Sequence, residues 1–349
     1  MHVGFVIAGG IETGSGGFYY DRRLRARLEA RGHEVTVVSI PWRSYGGQLL
    51  ESARCVGRLR EQAFDVLLED GLAHPSVVGA NRLLETPVVA LVHILRTKAA
   101  NRRYRPFVRA IERRFLAGVD AVIYNSEATR HAAESLTRAA TSTVVPPAGD
   151  RFPSEMTDAE IRRRAERGSL SVLFLGTITP RKGLETLVEG LSRLAFDWRL
   201  TVVGETTADP GYVESVRERA RKLSAPDRIQ FTGRLPDSAV RNRLRETHVL
   251  AVPSQYEPFG MAYLEAMAFG CVPIATTNGG AGEFIEDDRS GFVIPPKDPD
   301  AVADRLERMR DRDVLTRMGI EARRAFEAQP TWAETLDRAV DFIEKQCPT

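Results

Sequence analysis

Short, almost continuously apolar runs recur along the first half of the chain. They are HVGFVIA at 2–8, EVTVVSI at 34–40, FDVLLE at 64–69, PVVALV at 87–92 and DAVIYN at 120–125. Runs of this kind, without strict alternation, suit strands of a parallel sheet covered on both faces. Helical patterns fit between them. Phe18 to Arg31 carries Leu24 and Leu28 at i, i+4 and stops at Gly32, a good residue for a left-handed helix end, so RGHEV reads as helix end, turn and strand start. A second series follows, with SVLFLG at 171–176, RLTVVG at 199–204, RIQFTG at 228–233, HVLAVP at 248–253 and CVPIAT at 271–276. Between the two series lies the charged stretch Pro153 to Gly168, which has no strand-like run and is predicted to be a linker. The pattern therefore predicts an α/β chain of two doubly wound domains, 1–152 and 169–328, joined by 153–168. A last segment, 329–349, contains Trp332, Leu336, Val340 and Ile343 at near-helical spacing and is predicted to be a packing helix.

A length of 349 residues fits two domains. The hydrophobic share of 43% and charged share of 28% are those of a soluble globular protein, and no apolar run is long enough to span a bilayer. Val3 to Ala8 is short and lacks a basic flank, so it reads as a strand and not as a signal peptide. Cys55, Cys271 and Cys347 are far apart and lack metal-ligand spacing, which predicts reduced thiols in a cytoplasmic protein and no metal site. The net charge of +2 argues against a nucleic-acid binder. Charge is uneven all the same, with 20 Lys and Arg against 15 Asp and Glu in residues 1–150. Much of the excess lies in Arg96 to Arg114, where Tyr104, Phe107, Ile111 and Phe115 interleave with the arginines. A solvated helix face is the ordinary account of such a segment. The same pattern suits peripheral contact with anionic lipid, which would place the protein on the cytoplasmic face of a membrane.

The densest chemical pattern is EPFGMAYLEAMAFGCVP at 257–273. Pro258 and Gly260 favour a tight turn, and Met261 to Phe269 is strong helix former, so a helix is expected to begin near Gly260 with outward-pointing amides. Such amides, with the helix dipole, suit a diphosphate. Glu265, about one turn into the helix, can accept hydrogen bonds from a vicinal diol such as a ribose, while Glu257 lies in the loop. For either Glu alone, helix capping is the simpler explanation. Taken whole, the Glu-x7-Glu spacing, the Pro-Phe-Gly turn and the following Glu-Ala-Met-Ala-x-Gly resemble the signature of retaining GT-B glycosyltransferases of family four. The resemblance implies two Rossmann-like domains facing a central cleft, the first on the acceptor side and the second binding the nucleotide sugar. It also implies that the final helix returns to the first domain.

Other residues gain meaning from the same resemblance. In GGIETGSGGF at 9–18 the dinucleotide fingerprint is incomplete, since Tyr19 stands where a third glycine is needed and the second strand ends without an acid. The family's diphosphate-packing glycine pair corresponds to Gly16 and Gly17. In LGTITPRKGLETL at 175–187 the family's phosphate-binding Lys matches Lys182, but Thr177 replaces its usual Arg, leaving Arg181 in the adjacent turn as a substitute cation. His93 ends a strand, and the resemblance places it at the donor sugar in a positioning role. Arg234 and Leu235 correspond to residues lining the base, and Asn278 to Glu283 to the loop before the closing strand in GFVIPP. The catalytic candidates are thus His93, Glu257 and Lys182. The donor-binding candidates are Gly16, Gly17, Thr177, Arg181, Lys182, Arg234, Leu235, Glu257, Phe259, Gly260, Met261 and Glu265. The expected activity is metal-independent, cofactor-free hexosyl transfer from a nucleoside-diphosphate sugar to a sugar, lipid or small-molecule hydroxyl. A nucleotide-sugar epimerase or hydrolase, or a non-catalytic nucleotide-sugar-binding protein, are the rival expectations.

Overall fold

The apolar runs become the strands of two parallel sheets. The computed structural model describes residues 1–12, 14–139, 141–152, 154, 156–222 and 226–347. The first sheet holds β1 His2–Ala8, β2 Glu34–Ile40, β3 Val66–Asp70, β4 Val88–Val92, β5 Ala121–Tyr124 and β6 Thr141–Val144, in the order β2-β1-β3-β4-β5-β6. The second holds β7 Leu170–Leu175, β8 Trp198–Val203, β9 Ile229–Gly233, β10 Val249–Ala251, β11 Val272–Thr276 and β12 Phe292–Ile294, in the order β12-β11-β10-β7-β8-β9. The register of β1 on β2 runs without a break from His2 opposite Glu34 to Ala8 opposite Ile40. Central strands such as β4 and β11 are buried along their whole length, which explains their unbroken apolar sequence.

In each sheet the chain first moves outward to one side and then returns to the other. The reversal falls between β1 and β3 in the first sheet and between β7 and β10 in the second. Loops that follow the two strands at a reversal diverge, and the space between them, beyond the carboxyl ends of the strands, is where doubly wound sheets hold ligands.

The chain divides into two units, Met1–Pro147 with Trp332–Thr349, and Ala148–Thr331. In the first, the helix Trp332–Glu344 packs on the helix Gly16–Ala30. Trp332 is buried against the edges of Tyr19 and Tyr20, and Arg27 makes two hydrogen bonds to Asp337 at 2.7 and 2.5 Å. The expected linker 153–168 needs correction, apart from Pro153 and Glu155, which lie outside the described residues. Its residues Asp158–Ala165 form a helix of the second unit, opened by a capping box between Thr157 and Glu160. Ile161 and Ala165 are buried, and Arg164 donates to the carbonyls of Phe269 and Gly270 at 2.8 and 2.6 Å. Charged residues on the other face of this short helix hid its two apolar anchors. Strand β6 was also missed, because Thr141-Ser-Thr-Val is short, half polar and at the sheet edge. No helix among the described residues is long and apolar enough to cross a membrane.

Candidate active site

At the reversal in the second sheet, the loop after β7 carries Thr177, Arg181 and Lys182, and the loop after β10 carries Ser254 and Glu257. Lys182 Nζ donates to Glu257 Oε2 at 2.5 Å, and Ser254 Oγ donates to the same oxygen at 3.0 Å. The Arg181 guanidinium lies 3.8 Å from that oxygen and donates to the Tyr256 carbonyl at 2.8 Å. Burial alone would raise the Glu257 pKa, but Lys182 and Arg181 outweigh it and hold the carboxyl below its ordinary range. For Lys182 the balance differs. Burial, with Arg181 adding to it, lowers its pKa against the pull of Glu257.

The backbone around Glu257 is fixed from the loop that follows β11. Glu257 N donates to the Asn278 carbonyl and Gly280 N to the Glu257 carbonyl, each at 3.0 Å. Gly279 between them has φ 142°, and a Cβ there would stand 1.8 Å from the Glu257 carbonyl oxygen, so only glycine fits. The turn ends at Gly260, with φ 105°, whose missing Cβ leaves room for the Tyr263 ring. The helix that follows spans Met261–Met267, shorter than the run of helix formers. Phe259 is buried against Phe284 with ring centroids 5.0 Å apart, so its side chain belongs to the core, and Met261 is half-buried.

Glu265 has a different set of partners. It is 5% exposed, and its nearest cation is Arg151, at 3.7 Å, which also holds Asp237 through contacts of 2.6 and 3.3 Å. Burial raises the Glu265 pKa to about 7, with Arg151 opposing the rise and Asp237 adding to it. Thr177, in the loop after β7, is half-buried and makes no side-chain hydrogen bond among the described residues. Arg234 is exposed after β9. The Thr207 backbone and side chain, with a smaller contribution from Arg234, hold the Glu205 carboxyl below its ordinary range. Leu235 is half-buried against the apolar core.

In the first unit, Ser15 caps the helix Gly16–Ala30 by accepting from Phe18 N at 3.4 Å, which puts exposed Gly16 at the helix start. A Cβ on Gly17 would lie 3.1 Å from His93 Cδ2, so the glycine allows close approach of the imidazole. His93, after β4, is hydrogen-bonded through Nε2 to Asp21 Oδ1 at 2.7 Å and is bounded by the edge of Tyr20. Asp70, the last residue of β3, completes a buried group in which one donor atom of each residue lies within 4.8 Å of the others. Burial would lower the His93 pKa, but Asp21 and then Asp70 outweigh it and raise it. Burial, with Asp21 adding to it, lifts Asp70 to about 7.

Two family models match the chain, glycosyl transferases group 1 over residues 157–325 and Glycosyltransferase Family 4 over residues 15–150. The chain belongs to the group 1 GT-B glycosyltransferases. One relative is the GDP-mannose-dependent alpha-(1-6)-phosphatidylinositol monomannoside mannosyltransferase of Mycobacterium tuberculosis, 32% identical over 68% of this chain and 65% of that protein. Another is the D-inositol 3-phosphate glycosyltransferase of Xylanimonas cellulosilytica, 31% identical over 62% of this chain and 57% of that protein. The chain thus spans less than two thirds of the length of each. Sucrose-phosphate synthase from Thermosynechococcus elongatus superposes with a TM-score of 0.84 at 19% identity, covering 99% of this chain and 98% of that one. Anabaena HepE, solved in complex with UDP and glucose, gives 0.78 at 18%, covering 99% and 100%. At these identities the likeness shows the fold.

Within this group 1 glycosyltransferase, four residues close to the candidates escaped sequence reasoning. Asp21 carried a usable signal, because it stands in the helical stripe of Phe18, Leu24 and Leu28, where an acid is out of place. Asp70 also had one, as an acid closing a buried strand. Arg151 had none, since its partners Asp237 and Glu265 are distant in sequence, whereas Ser254 lies only three residues before Glu257 and a serine in such a loop is ordinary. In the basic segment, Glu112 is buried and accepts from Arg96 N, Thr97 N and Thr97 Oγ1, which ties the short helix Arg96–Ala99 to the helix Arg105–Leu116. Phe115 is in the core and Ile111 is half-buried against it, so these two members of the interleaved apolar set face inward, whereas Tyr104 and Phe107 are 60% and 52% exposed.

Proposed function

We propose that the protein transfers a hexosyl unit from a nucleoside-diphosphate sugar to a hydroxyl acceptor, a sugar, lipid or small molecule, with retention at the anomeric carbon. The observation that carries this reading is the meeting of Lys182 and Arg181 on Glu257 at the reversal of the second sheet. The names of the relatives support it, since one is described as GDP-mannose-dependent and the other as a glycosyltransferase. Lys182 and Arg181 would neutralise the charge that grows on the leaving diphosphate, with the amides of Phe259, Gly260 and Met261 as further donors. Arg181 thereby takes the place of the cation missing at Thr177. These two cations supply the charge that a metal would otherwise bring, so metal-independent turnover is proposed. Glu257 would hold hydroxyls of the transferred sugar, Glu265 the ribose diol, and Arg234 and Leu235 the base. Gly16 and Gly17 are assigned to the diphosphate and His93 to positioning the sugar. No residue is assigned as a covalent nucleophile, because leaving phosphate and attacking hydroxyl can meet on one face of the sugar.

A thermal-shift and calorimetric screen of the full chain against UDP, GDP and ADP sugars tests the donor class. One base is expected to raise the melting temperature clearly above the others. Absence of a shift with all three would remove the donor site. The anomeric configuration of the product, read by proton NMR, tests retention. Thr177 favours one rival, a nucleotide-sugar-binding protein without transfer, and that rival predicts donor binding with no product. Donor turnover without acceptor would instead mark an epimerase or hydrolase.

Cytoplasmic location with lipid contact through the arginine-rich helix is also proposed, on the exposure of Tyr104 and Phe107 among Arg102, Arg103, Arg105 and Arg109. The full chain is expected to pellet with anionic vesicles at low salt and to stay in solution with neutral ones. Equal recovery in both supernatants would leave the helix as a solvated surface.

A further inference from the structure

A buried acid on an amphipathic helix is costly unless something uses it. Asp21 has no exposed surface and occupies the stripe that otherwise carries Phe18, Leu24 and Leu28. Its Oδ1 meets His93 Nε2 at 2.7 Å, while its Oδ2 is buried without a hydrogen-bond partner among the described residues. His93 Nδ1 makes no hydrogen bond among them either. We propose that Asp21 is a positioning residue: its buried carboxylate accepts a hydrogen bond from the Nε2–H of His93, fixes the ring, and leaves Nδ1 as the ring atom offered to substrate. This rests on the role proposed above for His93 at the transferred sugar.

The surroundings fit such a device. Asp70, at the end of β3, stands by the imidazole as a second buried carboxyl, and Arg96 acts on it electrostatically. Tyr20 closes one side edge-on, its ring centroid 5.1 Å from that of His93, and is itself packed on Trp332, with Arg338 acting on it electrostatically. Gly17 allows close approach on the Cδ2 side. Two acids, with no cation paired to the imidazole among the described residues, favour the doubly protonated ring, so Nδ1 donates a hydrogen bond, as a hydroxyl or phosphate oxygen of the substrate requires.

The test is 15N NMR of the histidine side chains in the full-length protein, with His93 assigned among the six histidines by loss of its signals in His93→Gln. In the wild type, both His93 nitrogens are expected to remain protonated at pH 7. In Asp21→Asn, which keeps the shape and removes the charge, the midpoint should fall by about one unit or more, a tenfold weaker hold on the proton. Transfer kcat should drop ~10-fold to 100-fold in that variant, with donor KM changed less than about threefold and the alkaline limb of the pH profile moved to lower pH. Asp21→Glu should restore part of both. A neutral His93 in the wild type at pH 7, or an unchanged midpoint in Asp21→Asn, would overturn the proposal, as would broadening of His93 by substoichiometric Mn2+. Because the NMR readout needs no turnover, failure of the transferase reading would be seen separately, as absent product with an intact His93 titration.

Discussion

Glu257→Gln is expected to bind a free nucleoside diphosphate about tenfold more tightly than the wild type, while transfer slows by about two to three orders of magnitude. The opposite signs follow from the unliganded geometry. Glu257 Oε2 occupies Lys182 at 2.5 Å and stands 3.8 Å from Arg181, so the two cations proposed for the diphosphate are already neutralised in part. An incoming diphosphate must share them with a carboxylate that also repels it. Glutamine keeps the size and can still accept from Ser254, but carries no charge. The sugar, in contrast, loses the acceptor proposed to hold its hydroxyls in the transition state. Removing the carboxylate also leaves a buried ammonium beside a guanidinium, which is expected to cost the unliganded protein about 3 kcal/mol or more. The nucleotide-induced rise in melting temperature should therefore be larger in the variant. Calorimetry with UDP, GDP and ADP checks the affinity; unchanged or weaker binding of all three would show that Glu257 does not compete for the phosphate cations.

For Glu265 the expected signature is a pH dependence of donor affinity. Burial lifts this carboxyl to about 7, with Arg151 at 3.7 Å only partly opposing it. A ribose diol donates its hydrogen bonds best to the ionised form, so below the pKa binding must expel a proton. Affinity for an intact nucleotide sugar is therefore expected to climb as pH rises from 6 to about 7 and to level off above it. The intact donor is the right probe, because its diphosphate has no proton to lose in this range. Glu265→Gln should flatten the profile and weaken binding by ~30-fold at pH 8, the loss of about 2 kcal/mol of charge-assisted hydrogen bonding. A flat wild-type profile between pH 6 and 8 would remove Glu265 from the ribose.

The two carboxylates also show how far the sequence could be read. Their spacing and the Pro-Phe-Gly turn pointed to a shared ligand with separate tasks, and in the fold they do have separate partners: Lys182, Ser254 and Arg181 for one, Arg151 for the other. Lys182 was legible because it follows a strand closely. Its ion pair with Glu257, 75 residues away, was not, because nothing local records that β7 and β10 are neighbours. Asp21 and His93, 72 residues apart, are a second instance. The helix at Asp158–Ala165 failed for another reason: its charged face outnumbered its anchors, although the capping box was there to be read.

The sequence by itself determined the strand runs, their burial on both faces, the glycines that the Glu257 loop requires and the charges available for chemistry. Those are local properties, written in side-chain size, polarity and backbone freedom at neighbouring positions. Tertiary structure alone decided the reversal of strand order in each sheet, and with it which cation meets which carboxylate and how deeply each is buried. Such choices depend on packing between segments far apart in the chain. They set the state of Glu257, Glu265 and His93, because a buried ionisable group takes its charge from its neighbours.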